Sequence, residues 1–247
     1  MKRIGNQIKS LVKEKTITHL VAREYRVANI LQECGIDIFS GAKMTLKEYC
    51  CKAQVDLSQV VSRLGDEQAL KRASYAPFDS WPLDFLCCYI VKRHHEYAYE
   101  NITILCGLIE KLDNVSDYTI GKVCDVFKRM ARDMKLHMMK EENILFPFIE
   151  QMVEASRERI QIARPFFGTV NNPTQIMEIE HEHSWEDISL IRTLTDNYNI
   201  KGNADPKMAI LCRGLEQFEM DLVIHLDLEN NILFPKAILL EKQLGVS

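Results

Sequence analysis

The sequence predicts an all-α protein in which a small N-terminal three-helix domain precedes a four-helix bundle. Three observations carry that expectation. Hydrophobic residues make up 47% of the 247-residue chain against only 10 glycines and 7 prolines, a composition that suits long helices and supplies few turns. Apolar residues recur at i, i+3, i+4 and i+7 through four long segments, roughly 83–113, 117–155, 174–198 and 205–241, with polar breaks between them. An eleven-residue motif occurs twice inside those segments, as HMMKEENILFP from His137 and as HLDLENNILFP from His225.

In chain order, residues 1–15 read as a flexible polar arm, and 16–72 as the small helical domain. A helical pattern runs from Thr16 through Leu20, Val27 and Leu31 to Cys34, where Gly35 is placed to stop it. The loop IDIFSGAK follows. Thr45 and Glu48 have the spacing of a capping box for a second helix, and a third starts near Asp56 and buries Leu57, Val60, Val61 and Leu64. Residues 73–82, with two prolines among aromatics, read as a linker, and the bundle then occupies 83–243. The prolines at 147 and 235 fall inside long segments and are expected to end or kink the helix there. The stretch 156–173 is long for a bundle loop and is expected to cap one end.

Charge and cysteine usage bound the function. Residues 1–72 hold 13 Lys and Arg against 8 Asp and Glu, but these bases are dispersed, so nucleic-acid binding is not expected. The eight cysteines include no CxxC, which predicts reduced thiols in a cytoplasmic protein. The N-terminus is too charged for a secretory signal, and no run approaches the ~20 apolar residues of a membrane span.

The chemistry is concentrated in the repeat. Residues four apart share a helix face, so His137/Glu141 and His225/Glu229 each aim an imidazole and a carboxylate at one point. Both pairs lie on apolar stripes: Met130, Met134, His137, Glu141, Ile144 and Phe148 on one helix, Phe218, Leu222, His225, Glu229 and Ile232 on the other. A carboxylate on such a stripe is costly to bury unless paired, and a metal ion pairs it while also taking the imidazoles. Glu142, about 100° round the helix from Glu141, reads as solvent-facing. The other two long segments bring His94 and His95, and His181 and His183; periodicity does not choose within either pair. Asp133 and Asp221 precede the motif histidines by one turn, as acceptors for the second imidazole N–H or as solvated acids. Histidine and carboxylate without thiolate suit iron or manganese over copper(I) and structural zinc, and two opposed carboxylates favour a dinuclear site over mononuclear zinc.

With HMMKEENILFP, HLDLENNILFP, EIEHEHSW, YIVKRHHEY and IDIFSGAKMTLKEYC in hand, the chain resembles the hemerythrin-like superfamily. Within it, the chain is similar to the iron–sulfur cluster repair di-iron (RIC) proteins, over nearly its whole length. The resemblance implies an N-terminal ScdA-type domain on a hemerythrin-like bundle holding two Fe ions, oxo- and carboxylate-bridged. It implies His95, His137, Glu141, His181, His225 and Glu229 as the metal ligands, leaving His94 and His183 as neighbours. The implied function is repair of iron–sulfur clusters damaged by nitrosative or oxidative stress, with transient iron–sulfur clients and nitric oxide or O2 as small ligands; homodimerisation is compatible with it. The alternative is a module that senses O2, nitric oxide or iron and signals to a partner. In one place the chain departs from the family: Phe39 and Ser40 stand where those proteins carry a Cys-Cys pair.

Overall fold

The computed structural model describes residues 15–23, 27–38, 40–66, 78–112, 118–199 and 206–246. The expected arm falls outside these residues apart from Lys15, as do Phe39 and the first half of the expected linker. Among the described residues there is no strand, only an isolated bridge between Thr16 and Thr45. The all-α expectation holds. Two compact units divide the chain at Arg93/His94, inside the first long segment and beyond the expected linker.

In the first unit, α1 (Ile17–Arg23), α2 (Val27–Glu33), α3 (Leu46–Ala53) and α4 (Leu57–Leu64) precede a short 3-10 turn at Phe78–Ser80 and α5 (Leu83–Ile90). Gly35 stops α2 as its position predicts: it lies at φ +77°, Ile36 N–H returns to the Leu31 carbonyl, and Gly35 N–H reaches that of Gln32. The capping box is present, with Thr45 N–H donating to Glu48 at 2.8 Å and Glu48 N–H to the Thr45 hydroxyl at 3.2 Å. The core is thicker than three short helices would give, because α1 packs on α5, while Trp81, Phe85 and Tyr89 stack edge to face beside Phe78. Gly41 in the loop before α3 is held close to the Tyr49 ring: an added Cβ would lie 2.5 Å from Tyr49 Cδ2 and 2.9 Å from Ile17 Cδ1. Gly41→Ala should therefore cost about 1–3 kcal/mol in urea unfolding of this unit. An unchanged midpoint would show that the loop yields freely.

The second unit is an antiparallel four-helix bundle. Its first helix is α6 (Glu96–Glu110), and its second comprises α7 (Tyr118–Lys140) and α8 (Phe146–Glu158). The third is α9 (Asn171–Leu194), and the fourth comprises α10 (Pro206–Leu228) and α11 (Phe234–Leu244). The C-terminal halves of α6 and α9 share one core with the N-terminal halves of α7 and α10, among them Ile102, Leu105, Phe127, Met130, Ile191, Leu215 and Phe218. Alternate ends meeting at one level mean that each helix reverses the direction of the last. At the other end, Glu241 accepts from Val170 N–H at 2.8 Å and Phe167 meets Phe148 edge-on, so the stretch 156–173 does pack over that end.

Three wide π-turns interrupt these helices, at Val91–His95, Glu141–Leu145 and Glu229–Leu233. In the latter two, Phe146 N–H and Phe234 N–H close back onto the carbonyls of Glu141 and Glu229, five residues earlier. The extra residue opens the helix just ahead of each proline, and α-helix resumes through the ring instead of ending there. It also shifts the buried stripe by one position. Leu145 and Leu233 are buried where periodicity expects Ile144 and Ile232, and Ile144 is instead exposed. The first π-turn contains no proline, so the ring is not the common cause; what the three share is a proposed ligand at one edge.

Candidate metal centre

The six residues of the expected ligand set all meet at mid-height in the bundle, and all are at most 2% exposed. They form two overlapping groups: His95, Glu141, His225 and Glu229, and His137, Glu141, His181 and Glu229. Each group has ligand atoms within 4.8 Å of one another, and both carboxylates belong to both groups. Glu141 Oε2 lies 3.4 Å from His95 Nε2 and 3.3 Å from His137 Nε2. Glu229 turns Oε1 to His225 at 2.9 Å and Oε2 to His181 at 3.3 Å. Each carboxylate therefore reaches one imidazole of either group.

Between the two structurally open choices, the π-turn decides the first. It ends on His94 and His95 and puts both inside, with His95 Nε2 among the six and His94 behind, its ring stacked on His225 at 5.6 Å. His183 is exposed and lines the groove between α7 and α9, while His181 is buried. His181→Ala should accordingly lose metal and His183→Ala should keep it, read by elemental analysis of the purified variants; equal loss would contradict this placement.

The outer imidazole nitrogens are fixed by acceptors that sequence reasoning did not pick out, and one of them, Glu142, it read as solvent-facing. His95 Nδ1–H meets Glu142 at 2.8 Å, His137 Nδ1–H meets Glu180 at 2.9 Å, and His181 Nδ1–H meets Asn230 Oδ1 at 2.8 Å. Glu142 is thus not solvent-facing: a position 100° from the inward stripe lies at the seam between helices, within reach of His95. Asp221 accepts from His94 Nδ1 at 3.0 Å and not from His225, and Asp133 lies at the surface with Arg132. The available signal was the repeat itself, since Glu142 and Asn230 occupy the same motif position directly after each glutamate.

With Nδ1 donating outward, the Nε2 lone pairs face inward. They do so at close range: His95 and His225 Nε2 are 3.1 Å apart, His137 and His181 Nε2 are 2.9 Å apart. Two lone pairs at that distance repel unless a cation or proton lies between them. Both Glu141 oxygens and Glu229 Oε2 are buried without a hydrogen-bond donor, which is costly for a carboxylate in any other role. Four imidazoles, two anionic bridges and no thiolate are a donor set for first-row divalent metals. Electrostatics agree. Burial opposes a charged imidazole, yet Glu142, Glu229 and Glu141 outweigh it and push His95 up to about 9. Glu141, Glu180 and Glu229 likewise overcome burial to raise His137 to about 10. Glu229, despite complete burial, is held well below the carboxylate range by His225, His181 and His95. The phenylalanines of the repeat close the site: Phe146 stacks on His95 at 5.7 Å and Phe234 on His181 at 6.0 Å. A groove of about 390 Å³ between α7 and α9 reaches His137, past Lys140 and Glu180.

Fold and site together define a cation-binding four-helix bundle with paired histidine–glutamate sites. Comparison with known proteins agrees: residues 89–237 match the hemerythrin HHE cation binding domain. The iron-sulfur cluster repair protein YtfE of Musicola paradisiaca is 31% identical over 92% of this chain and 97% of its own length. The protein of the same name from Edwardsiella ictaluri is 30% identical over 86% and 91%. The chain belongs to the hemerythrin HHE family, in its iron–sulfur cluster repair branch.

Proposed function

We propose that this protein holds two iron ions in the bundle and restores iron–sulfur clusters damaged by nitrosative or oxidative stress. The observation that carries the reading is the pair of ligand groups sharing Glu141 and Glu229; the names of the relatives supply the repair function. When bound, such an iron pair supplies two Lewis-acidic, redox-active centres.

The chain's own contribution is to assemble and shield the site. Glu142, Glu180 and Asn230 hold three imidazoles in the tautomer that presents Nε2 inward. Phe146 and Phe234 exclude water from two ligand faces, and the groove beside His137 admits a small molecule such as nitric oxide or O2. Iron is here both resident and cargo, passed to transiently bound client proteins. The eight scattered cysteines, with no CxxC among them, support a cytoplasmic location; among the described residues no helix is long and apolar enough to cross a membrane.

Aerobically purified protein is expected to carry two irons per chain, with near-ultraviolet bands of an oxo-bridged pair. Given an iron–sulfur enzyme whose cluster nitric oxide has broken, the loaded protein should restore that enzyme's activity. Loaded protein that neither passes iron to the broken cluster nor reacts with nitric oxide would sink the reading.

A further inference from the structure

The bundle is a two-fold repeat, and its halves differ where charge backs the ligand imidazoles. An offset of 88 residues carries His137 and Glu141 onto His225 and Glu229, Glu142 onto Asn230, and Lys140 onto Leu228. An offset of 86 carries His95 onto His181, and His94 onto Glu180. The consequences are local. His95 is backed by Glu142, an anion that among the described residues has no basic side chain against it, and whose second neighbour is the Tyr99 hydroxyl. His181 is backed at the matching position by the neutral amide of Asn230. His137 is backed by an anion, Glu180, but Lys140 pairs with its other oxygen. The two oxygens of Glu180 are thus divided between His137 and Lys140, and the ammonium group compensates the carboxylate behind His137.

Access differs in the same sense. His225 is covered by the stacked His94, itself held by Asp221, and His95 by Phe146. His137 lines the groove between α7 and α9, with Lys140 and Glu180 at its wall.

We infer that the two metal positions are inequivalent: the His137–His181 position, backed by Asn230 and by a Glu180 neutralised through Lys140, is the exchangeable one from which iron leaves. The His95–His225 position, backed by Glu142 and covered by His94, retains its ion. A carboxylate behind an imidazole adds its own attraction for the bound cation; a neutral amide or a carboxylate compensated by a lysine adds less. Lys140, Asn230 and Glu142 are thus positioning residues that act through the ligands. This rests on the two-iron reading above.

The test uses full-length protein loaded anaerobically with ferrous iron, with iron per chain measured before a ferrous chelator is added. The two ions should leave wild-type protein in two phases of equal size. Lys140→Gln leaves Glu180 uncompensated, and Asn230→Asp gives His181 an anionic backing; each should slow the fast phase about tenfold and leave the slow phase unchanged. Glu142→Gln should hasten the slow phase by a similar factor. The direction separates this from a structural role, because a loosened site would release iron faster. Lys140 is a partly exposed side chain, so its variant tests the idea without risk to folding. Lys140→Arg should restore wild-type kinetics. Two irons leaving wild-type protein in a single phase, or Lys140→Gln speeding release, would overturn the inference while leaving the two-iron reading standing. Absence of stoichiometric iron before chelation would overturn both.

Discussion

Glu141→Leu is expected to empty the bundle of both metal ions, whereas loss of one ligand histidine strips one position first. The reason is the sharing: Glu141 Oε2 lies 3.4 Å from an imidazole of one group and 3.3 Å from one of the other, so its removal costs both positions an anionic donor. The effect extends to stability. A ligand present at 1,000 times its dissociation constant stabilises the folded state by about 4 kcal/mol per site. For a unit of this size each kcal/mol moves the melting temperature by about 2–4 °C, so two ions should separate loaded from chelated wild-type protein by about 15–30 °C. In Glu141→Leu that gap should vanish, and the variant should melt near metal-free wild type, because leucine fills the volume of a buried anion that had no hydrogen-bond donor. Thermal melts followed by circular dichroism, with iron analysis of the same samples, read both effects. Retention of two irons would remove Glu141 from the ligand set.

Metal affinity should rise about tenfold per pH unit for each ion between pH 6 and 8. The short Nε2···Nε2 distances, 3.1 Å in one pair and 2.9 Å in the other, leave room for one proton per pair and not two. His95, raised to about 9, and His137, raised to about 10, are the members that carry it in the metal-free protein. Because both values lie above neutral, both protons are bound at pH 7 and each must leave before a cation takes its place. Falling pH therefore weakens binding throughout this range, and the dependence flattens only as pH passes 9 to 10. One pH unit per displaced proton corresponds to about 1.4 kcal/mol. Titration with manganese(II) in weak buffer should release about one proton per ion, a count set by this one-proton-per-pair geometry. A flat pH profile, or binding without proton release, would show that the imidazoles are already neutral.

Much of this was legible in the sequence because it depends on regular helical geometry. The four long segments, the His-x-x-x-Glu pairs, the capping box at Thr45 and the stop at Gly35 all follow from spacing within one or two turns. What was not legible follows from departures from that geometry or from partners on other helices. Ile144 and Ile232 were placed inward by a 3.6-residue period that the π-turns break, and His94 and His95 looked like alternatives because that period allows only one of them inside. Glu180 and Glu142 back imidazoles on helices other than their own, and no periodicity within a single helix points to such a pairing. Asp221 has the spacing to serve His225 one turn along but reaches across to His94. In the first unit, Ser40 caps nothing chemical: its N–H meets Asp37 at 3.3 Å in a tight loop, and Cys34, Cys50 and Cys51 are unpaired thiols.

The three π-turns make the metal layer a phase joint. On one side of it, Met130, Met134, Phe218 and Leu222 keep step with the ligands in one angular register; on the other, Leu145, Ile149, Leu233 and Ala237 keep step in another. Neither end of the bundle has to compromise its packing to aim the histidines and glutamates. Each hydrocarbon core can drift in sequence on its own, and the ligand geometry between them is insulated from both.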